Sequence, residues 1–129
     1  MKAIILNLSV IFLFGFAGLW LGPHARSAYE WIFPPPAFVN GNYSEIFREA
    51  GKPVVMFSTS TCPHCARARE YLRKDQIDYR DFVIDQSPDA KQRFTALGGD
   101  SVPLLFIGNR RITGFHEDTI HESLALMRR

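Results

Sequence analysis

A chain of 129 residues with 47% hydrophobic and 22% charged content holds one globular domain of ordinary size plus a further segment. Its formal net charge of +2 is too small to suggest nucleic-acid binding, and no basic stripe is clustered outside the helix after the cysteines, so no nucleic-acid partner is expected. The 2 cysteines, Cys62 and Cys65, exclude a disulfide-stapled scaffold, because a bridge across two residues closes almost no loop.

Residues 3–21 carry no charge, and only Asn7 and Ser9 among them are clearly polar. A helix needs about 20 apolar residues to cross a bilayer, so residues 1–22 are expected to form a transmembrane anchor. A secretory signal sequence is the competing expectation, but its apolar core usually runs about 7–15 residues. Cleavage at Ala28 would also place Arg26 where a small residue is wanted. An uncleaved, single-pass anchor fits better. Lys2 and the amino terminus precede the span, whereas Arg26 follows it with Glu30 nearby. That asymmetry predicts a cytoplasmic N-terminus and a domain on the extracytoplasmic side of the membrane. Trp20, Tyr29 and Trp31 suit an aromatic belt or packing against the domain.

Residues 23–43 read as a linker, within which 33–40, containing Pro34-Pro35-Pro36, form a semi-rigid extended spacer. The domain is expected over 44–129. Ser44 is placed to cap a short helix through Ala50, with Ile46 and Phe47 as its apolar contacts, and Gly51 ends it. The apolar run 54–58 then predicts a buried strand.

Cys62-Pro63-His64-Cys65 follows this strand and opens a polar-faced helix pattern over 66–74. A C-x-x-C at a strand-to-helix turn marks thiol–disulfide chemistry. Only a thiolate attacks disulfides, and a free thiol of pKa about 8.5 is mostly protonated at neutral pH. At a helix N-terminus, unpaired N–H groups and the positive end of the dipole stabilise the anion. Cys62 has that position, and Pro63 fits the first turn, where its missing N–H costs nothing. Cys65, Ala68 and Leu72 share the apolar face, so Cys65 is the more buried sulfur. Cys62 is thus the expected nucleophile and Cys65 the resolving thiol. Arg67, Arg69, Arg73 and Lys74 read as a solvated face of the same helix. A structural zinc site is the alternative, but it needs four ligands at short paired spacings. One C-x-x-C and a distant His116/His121 pair do not match it, so no metal is expected.

Residues 77–84 predict the next strand, and 89–97 a helix stopped by Gly98-Gly99-Asp100. Leu104-Leu105-Phe106-Ile107 and Arg111-Ile112-Thr113 are two strands joined through Gly108-Asn109, and 117–127 is a final helix. A parallel strand pair followed by a hairpin, with helices on both faces, defines an α/β domain with a central mixed four-stranded sheet.

The stretch from Lys52 onward resembles the glutaredoxin branch of the thioredoxin-like superfamily. The resemblance rests on F-S-T-S-T-C-P-H-C, on Ser101-Val102-Pro103, and on Ile112 to Phe115. It implies a thioredoxin-like fold and a thiol–disulfide oxidoreductase, which the apolar segment over 1–22 is expected to anchor in a membrane. It also implies that Pro103 follows a cis bond beside the dithiol, and that Val102 offers its backbone to a substrate cysteine. Glutathione-using members usually carry Lys where Thr59 stands, and a polar pair after a glycine where this chain has Gly114-Phe115-His116. This ending is closer to glutaredoxin-like redoxins served by thioredoxin reductase. Thr59, Ser101, Val102, Pro103, Gly114, Phe115 and His116 are accordingly the expected substrate-binding set, with Pro63 and His64 as redox-tuning residues. C-P-H-C itself resembles the strongly oxidising periplasmic dithiol oxidases, in which His64 would stabilise the Cys62 thiolate, so a disulfide donor is an alternative role. An iron–sulfur carrier holding glutathione is another, opposed by Pro63, where cluster-binding members have Gly or Ser. The resemblance implies no tightly bound cofactor. Protein disulfides are the expected partners, with glutathione, a thioredoxin-type reductase or a membrane electron donor as the source of electrons.

Overall fold

The computed structural model describes residues 36–128, together with 15, 16 and 18. The expected anchor over 1–22 and most of the 23–43 linker lie outside the described residues. Among those described, no helix is long and apolar enough to cross a membrane. A compact unit begins at Ala37 and carries the dithiol.

Its elements are β1 (Phe38–Asn40), α1 (Ser44–Ala50), β2 (Val54–Ser58), α2 (Pro63–Lys74), β3 (Tyr79–Val83), α3 (Pro88–Ala96), β4 (Leu104–Ile107), β5 (Arg110–Thr113) and α4 (Glu117–Met127). The sheet order is β1-β5-β4-β2-β3, with β2 and β3 parallel and the other pairs antiparallel. The sheet has five strands, where four were expected. The extra one is β1, inside the segment read as an extended spacer. Phe38 pairs with Ile112 and Asn40 with Arg110, so the backbone groups of these residues are satisfied by β5 rather than by water. The Arg110 guanidinium covers the Phe38 ring at 4.1 Å.

Strand alternation divides the core into two layers. On one face Val54, Met56, Leu105, Ile107 and Ile112 pack with Ala68 and Leu72 of α2 and Ile120 and Leu124 of α4. On the other, Val55, Phe57, Leu104 and Phe106 meet Phe94 of α3 and the half-buried Ile46 and Phe47 of α1. Phe57 centres an aromatic group, with Phe82, Phe94 and Phe106 at 5.1, 6.0 and 6.2 Å between ring centroids.

The helix ends follow local chemistry. Gly51 closes α1 at φ 64°, in the left-handed region glycine adopts at little cost, and its N–H reaches the Phe47 carbonyl at 2.8 Å. Ser44 does not cap α1. Tyr43 holds the cap position, and the Ser44 N–H itself is bound by the Asn42 side-chain oxygen at 3.2 Å. Ser87 caps α3, its hydroxyl accepting from the Ala90 N–H, with Pro88 in the first turn. β3 is shorter than the expected 77–84, because the Ile77 N–H closes the end of α2 by bonding Leu72 O at 2.8 Å.

Candidate active site

The C-terminal end of β2, the N-terminal ends of α2 and β4, and the C-terminal end of β5 lie at one end of the sheet. Cys62 is the N-cap of α2, with extended backbone, and Pro63 occupies the first turn. The Cys62 Sγ accepts the Cys65 N–H at 3.2 Å. Both cysteines are free thiols, Cys62 half-buried and Cys65 fully buried.

This placement separates the two thiols electrostatically. Burial works against the Cys62 thiolate, but the Cys65 side chain, the backbone N–H groups of Cys65 and His64, and the Arg69 charge together outweigh it. The net effect draws Cys62 below the ordinary thiol range. Burial pushes the Cys65 thiol up to about 12, helped by its hydrogen bond to Cys62 and by the Cys62 charge, while the Thr59 backbone and Arg69 pull the other way. One sulfur is therefore ionised first, and it is the accessible one.

The loop facing the dithiol carries Ser101, Val102 and Pro103. The Val102–Pro103 bond is cis, and the Cys62 thiol reaches the Val102 carbonyl oxygen at 3.9 Å. Pro103 is buried, whereas Ser101 is exposed and bonds Asp100. Gly114, at φ 84°, donates its N–H to the Pro103 carbonyl at 2.8 Å. The structure thus joins Cys62, Cys65, Val102, Pro103 and Gly114 in one patch. Phe115 is turned inward, half-buried against Tyr71 and the first core layer. His116 is exposed at the start of α4. His64 is exposed, and it acts on Cys62 through its backbone N–H. Thr59 is half-buried, and its backbone hydrogen-bonds Cys65.

Arg69 departs from the solvated face expected for the basic residues of α2. Its Nε donates to Asp81 Oδ2 at 2.7 Å, and its Nη2 donates to Ser58 Oγ at 2.7 Å and Thr59 O at 3.3 Å. The Ser58 hydroxyl donates to Asp81 Oδ1 at 2.6 Å, so a fully buried serine is satisfied on both sides. On the outer side of the same loop, Asp85 accepts the Ser60 N–H and hydroxyl. The visible signal for Arg69 was its spacing, since it sits four residues after Cys65 and one after buried Ala68. Among the described residues, no group of three or more His, Cys, Asp or Glu side chains is placed to hold a metal ion.

The model of the glutaredoxin family matches residues 54–112, which span β2 to β5. The glutaredoxin of Neisseria meningitidis serogroup B is 36% identical over 64 residues, covering 48% of this chain and 75% of that protein. The glutaredoxin of Pseudomonas aeruginosa is 30% identical over 63 residues, covering 48% of this chain and 75% of that one. Among solved structures, a glutaredoxin from Archaeoglobus fulgidus superimposes with a TM-score of 0.54 at 27% identity, over 61% of this chain and 92% of that one. Wheat glutaredoxin superimposes with a TM-score of 0.53 at 27% identity, over 66% and 82% of the two chains. A mixed sheet flanked by helices, with a C-x-x-C at the head of α2, defines the thioredoxin-like superfamily. Within it, this chain belongs to the glutaredoxin family.

Proposed function

We propose that this protein is a thiol–disulfide oxidoreductase in which Cys62 attacks and Cys65 resolves. The observation that carries the reading is the Cys62 sulfur at the cap of α2, hydrogen-bonded by the Cys65 N–H at 3.2 Å while Cys65 is buried. The Cys62 thiolate attacks a substrate disulfide, forming a mixed disulfide and releasing one substrate thiolate. Cys65 then displaces the second substrate sulfur and closes the Cys62–Cys65 bond. Two electrons pass from the dithiol to the substrate, and reduction by an external thiol resets it.

Protein disulfides are the proposed substrates, met along the backbone edge at Val102, with Ser101, Pro103 and Gly114 shaping the approach. Thr59 stands where glutathione-using relatives usually carry Lys, and Phe115-His116 replace their polar pair after Gly114, which supports a thioredoxin-type reductase or a membrane electron donor over glutathione as reductant. The apolar run over 3–21 supports a single-pass anchor, and the flanking charges, Lys2 before it and Arg26 with Glu30 after it, favour a domain on the extracytoplasmic side. A topology reporter fused after Arg129 tests that placement, and a cytoplasmic signal would sink it.

The mechanism is tested by trapping. A Cys65→Ser protein should hold substrate in a covalent complex that dithiothreitol releases, whereas Cys62→Ser should hold none. Normal disulfide exchange by Cys62→Ser would overturn the assignment.

A further inference from the structure

Cys65 and Arg69 occupy i and i+4 of α2, positions whose side chains are neighbours on a helix surface. Helical side chains lean toward the N-terminus, which brings the guanidinium over the turn that carries Cys65. Asp81 on β3, Ser58 at the end of β2 and the Thr59 carbonyl hold it there through three hydrogen bonds of 2.7–3.3 Å. The Arg69 side chain is 29% exposed and that of Asp81 18%, so the cation is fixed and largely shielded from solvent.

We propose that Arg69 is a positioning residue for the second step of exchange: pinned by Asp81, Ser58 and Thr59, it holds a positive charge beside Cys65 that favours ionisation of this thiol once Cys62 is bonded to substrate. The proposal rests on the assignment of Cys65 as resolving thiol. In the free dithiol the Cys62 sulfur opposes ionisation of Cys65 by its charge and its hydrogen bond. In the mixed disulfide Cys62 carries no charge, and that opposition is lifted. The Thr59 N–H and the Arg69 charge then remain to favour the Cys65 anion against burial. Cys65 gives its proton to a solvent base, and its thiolate attacks the Cys62 Sγ. The Cys62–Cys65 bond forms, the bond from Cys62 to the substrate sulfur breaks, and the departing thiolate takes a proton from solvent.

Among the described residues, the charged and titratable groups that act on Cys65 come from two elements. Cys62 and Arg69 face it from α2 and its cap, while Asp81 and Tyr79 on β3 stand against Arg69. β4 presents Leu104, Leu105, Phe106 and Ile107, none of which titrates.

The test uses the full chain, reduced and mixed with an aromatic disulfide that releases a coloured thiolate. The first phase of colour reports attack by Cys62, and the second reports closure by Cys65. Arg69→Gln should slow the second phase at pH 7 by at least about threefold and raise its pH midpoint by about one unit or more. The rate loss per pKa unit is below tenfold because a more basic thiolate is also more nucleophilic, with a Brønsted coefficient of about 0.4–0.5. The first phase should change less, and Arg69→Lys, which keeps the charge, should restore most of the rate. Asp81→Asn, which unpins the guanidinium, should also slow the second phase preferentially, and it serves if Arg69→Gln does not fold. An unchanged second phase in these variants overturns the proposal, as does equal slowing of both phases with an unmoved pH midpoint. A second phase that persists in Cys65→Ser would instead overturn the resolving role of Cys65.

Discussion

The Gly114 N–H is bonded to the Pro103 carbonyl at 2.8 Å, which ties the turn after β5 to the loop that faces the dithiol. Because the Cys62 thiol reaches the carbonyl of the preceding residue, Val102, this bond lies one peptide unit from the Cys62 sulfur. Gly114 holds φ at 84°, where an L side chain costs about 1–2 kcal/mol.

Gly114→Ala should therefore lower unfolding stability by about 1–2 kcal/mol in urea. Gly108, at φ 58° in the β4–β5 hairpin, provides the control, since alanine there meets the same kind of backbone strain far from the dithiol. Both variants should lose similar stability, but only Gly114→Ala should slow disulfide exchange. Equal rates in the two variants would separate Gly114 from the site.

The divergence of the two thiols has a direct readout in alkylation. Cys62 is drawn below the ordinary range and Cys65 pushed up to about 12, so only Cys62 carries appreciable thiolate near neutrality. The thiolate is the basic form, so lowering a pKa raises reactivity on the acid side of the profile. The rate of iodoacetamide addition to the reduced protein should thus rise through a midpoint below about 8.5, the value for a free cysteine. Peptide mapping after reaction at pH 7 should find the adduct on Cys62. A midpoint at or above the free-cysteine value, or modification mainly at Cys65, contradicts this electrostatic picture.

Much of the fold was legible because its signals are local. The run Val54–Ser58 is buried throughout, as a strand covered by helices on both faces should be, and 117–127 matches the final helix end to end. The cysteine pair and its N-cap geometry were legible for the same reason, since Pro63 and the apolar spacing of Cys65, Ala68 and Leu72 specify the helix start and its inner face. What escaped depends on partners distant in sequence. β1 is three residues after a proline run, too short for periodicity, and only β5 makes it a strand. Arg69 looks like any basic residue of an exposed face until Asp81 and Ser58 arrive from two strands to bind it. The start of α1 falls one residue earlier than the capping type of Ser44 suggests, because Tyr43 takes the cap position and the Asn42 side chain binds the Ser44 N–H, a local contact that the capping preference of Ser44 does not reveal.

His64 offers the sharpest test of how the dithiol is tuned. A residue between the cysteines can act on the Cys62 thiolate through its side chain or through its peptide group. In the structure the imidazole is exposed, and the interaction with Cys62 runs through the backbone N–H. Every residue except proline supplies that N–H. His64→Tyr should accordingly leave the reduction potential nearly unmoved, within about 30 mV, the equivalent of one pKa unit for a two-electron couple. The measurement is equilibration of wild type and variant against a glutathione redox buffer, with the free dithiol counted by alkylation. Stabilising a thiolate favours the reduced form and raises the potential, so a tuning imidazole would reveal itself by a fall on substitution. A drop of several tens of millivolts beyond that limit would return the tuning role to the His64 side chain and strengthen the case for an oxidising disulfide donor. A matched pair of midpoints would assign the poise of the dithiol to the end of α2 and the peptide groups that face Cys62.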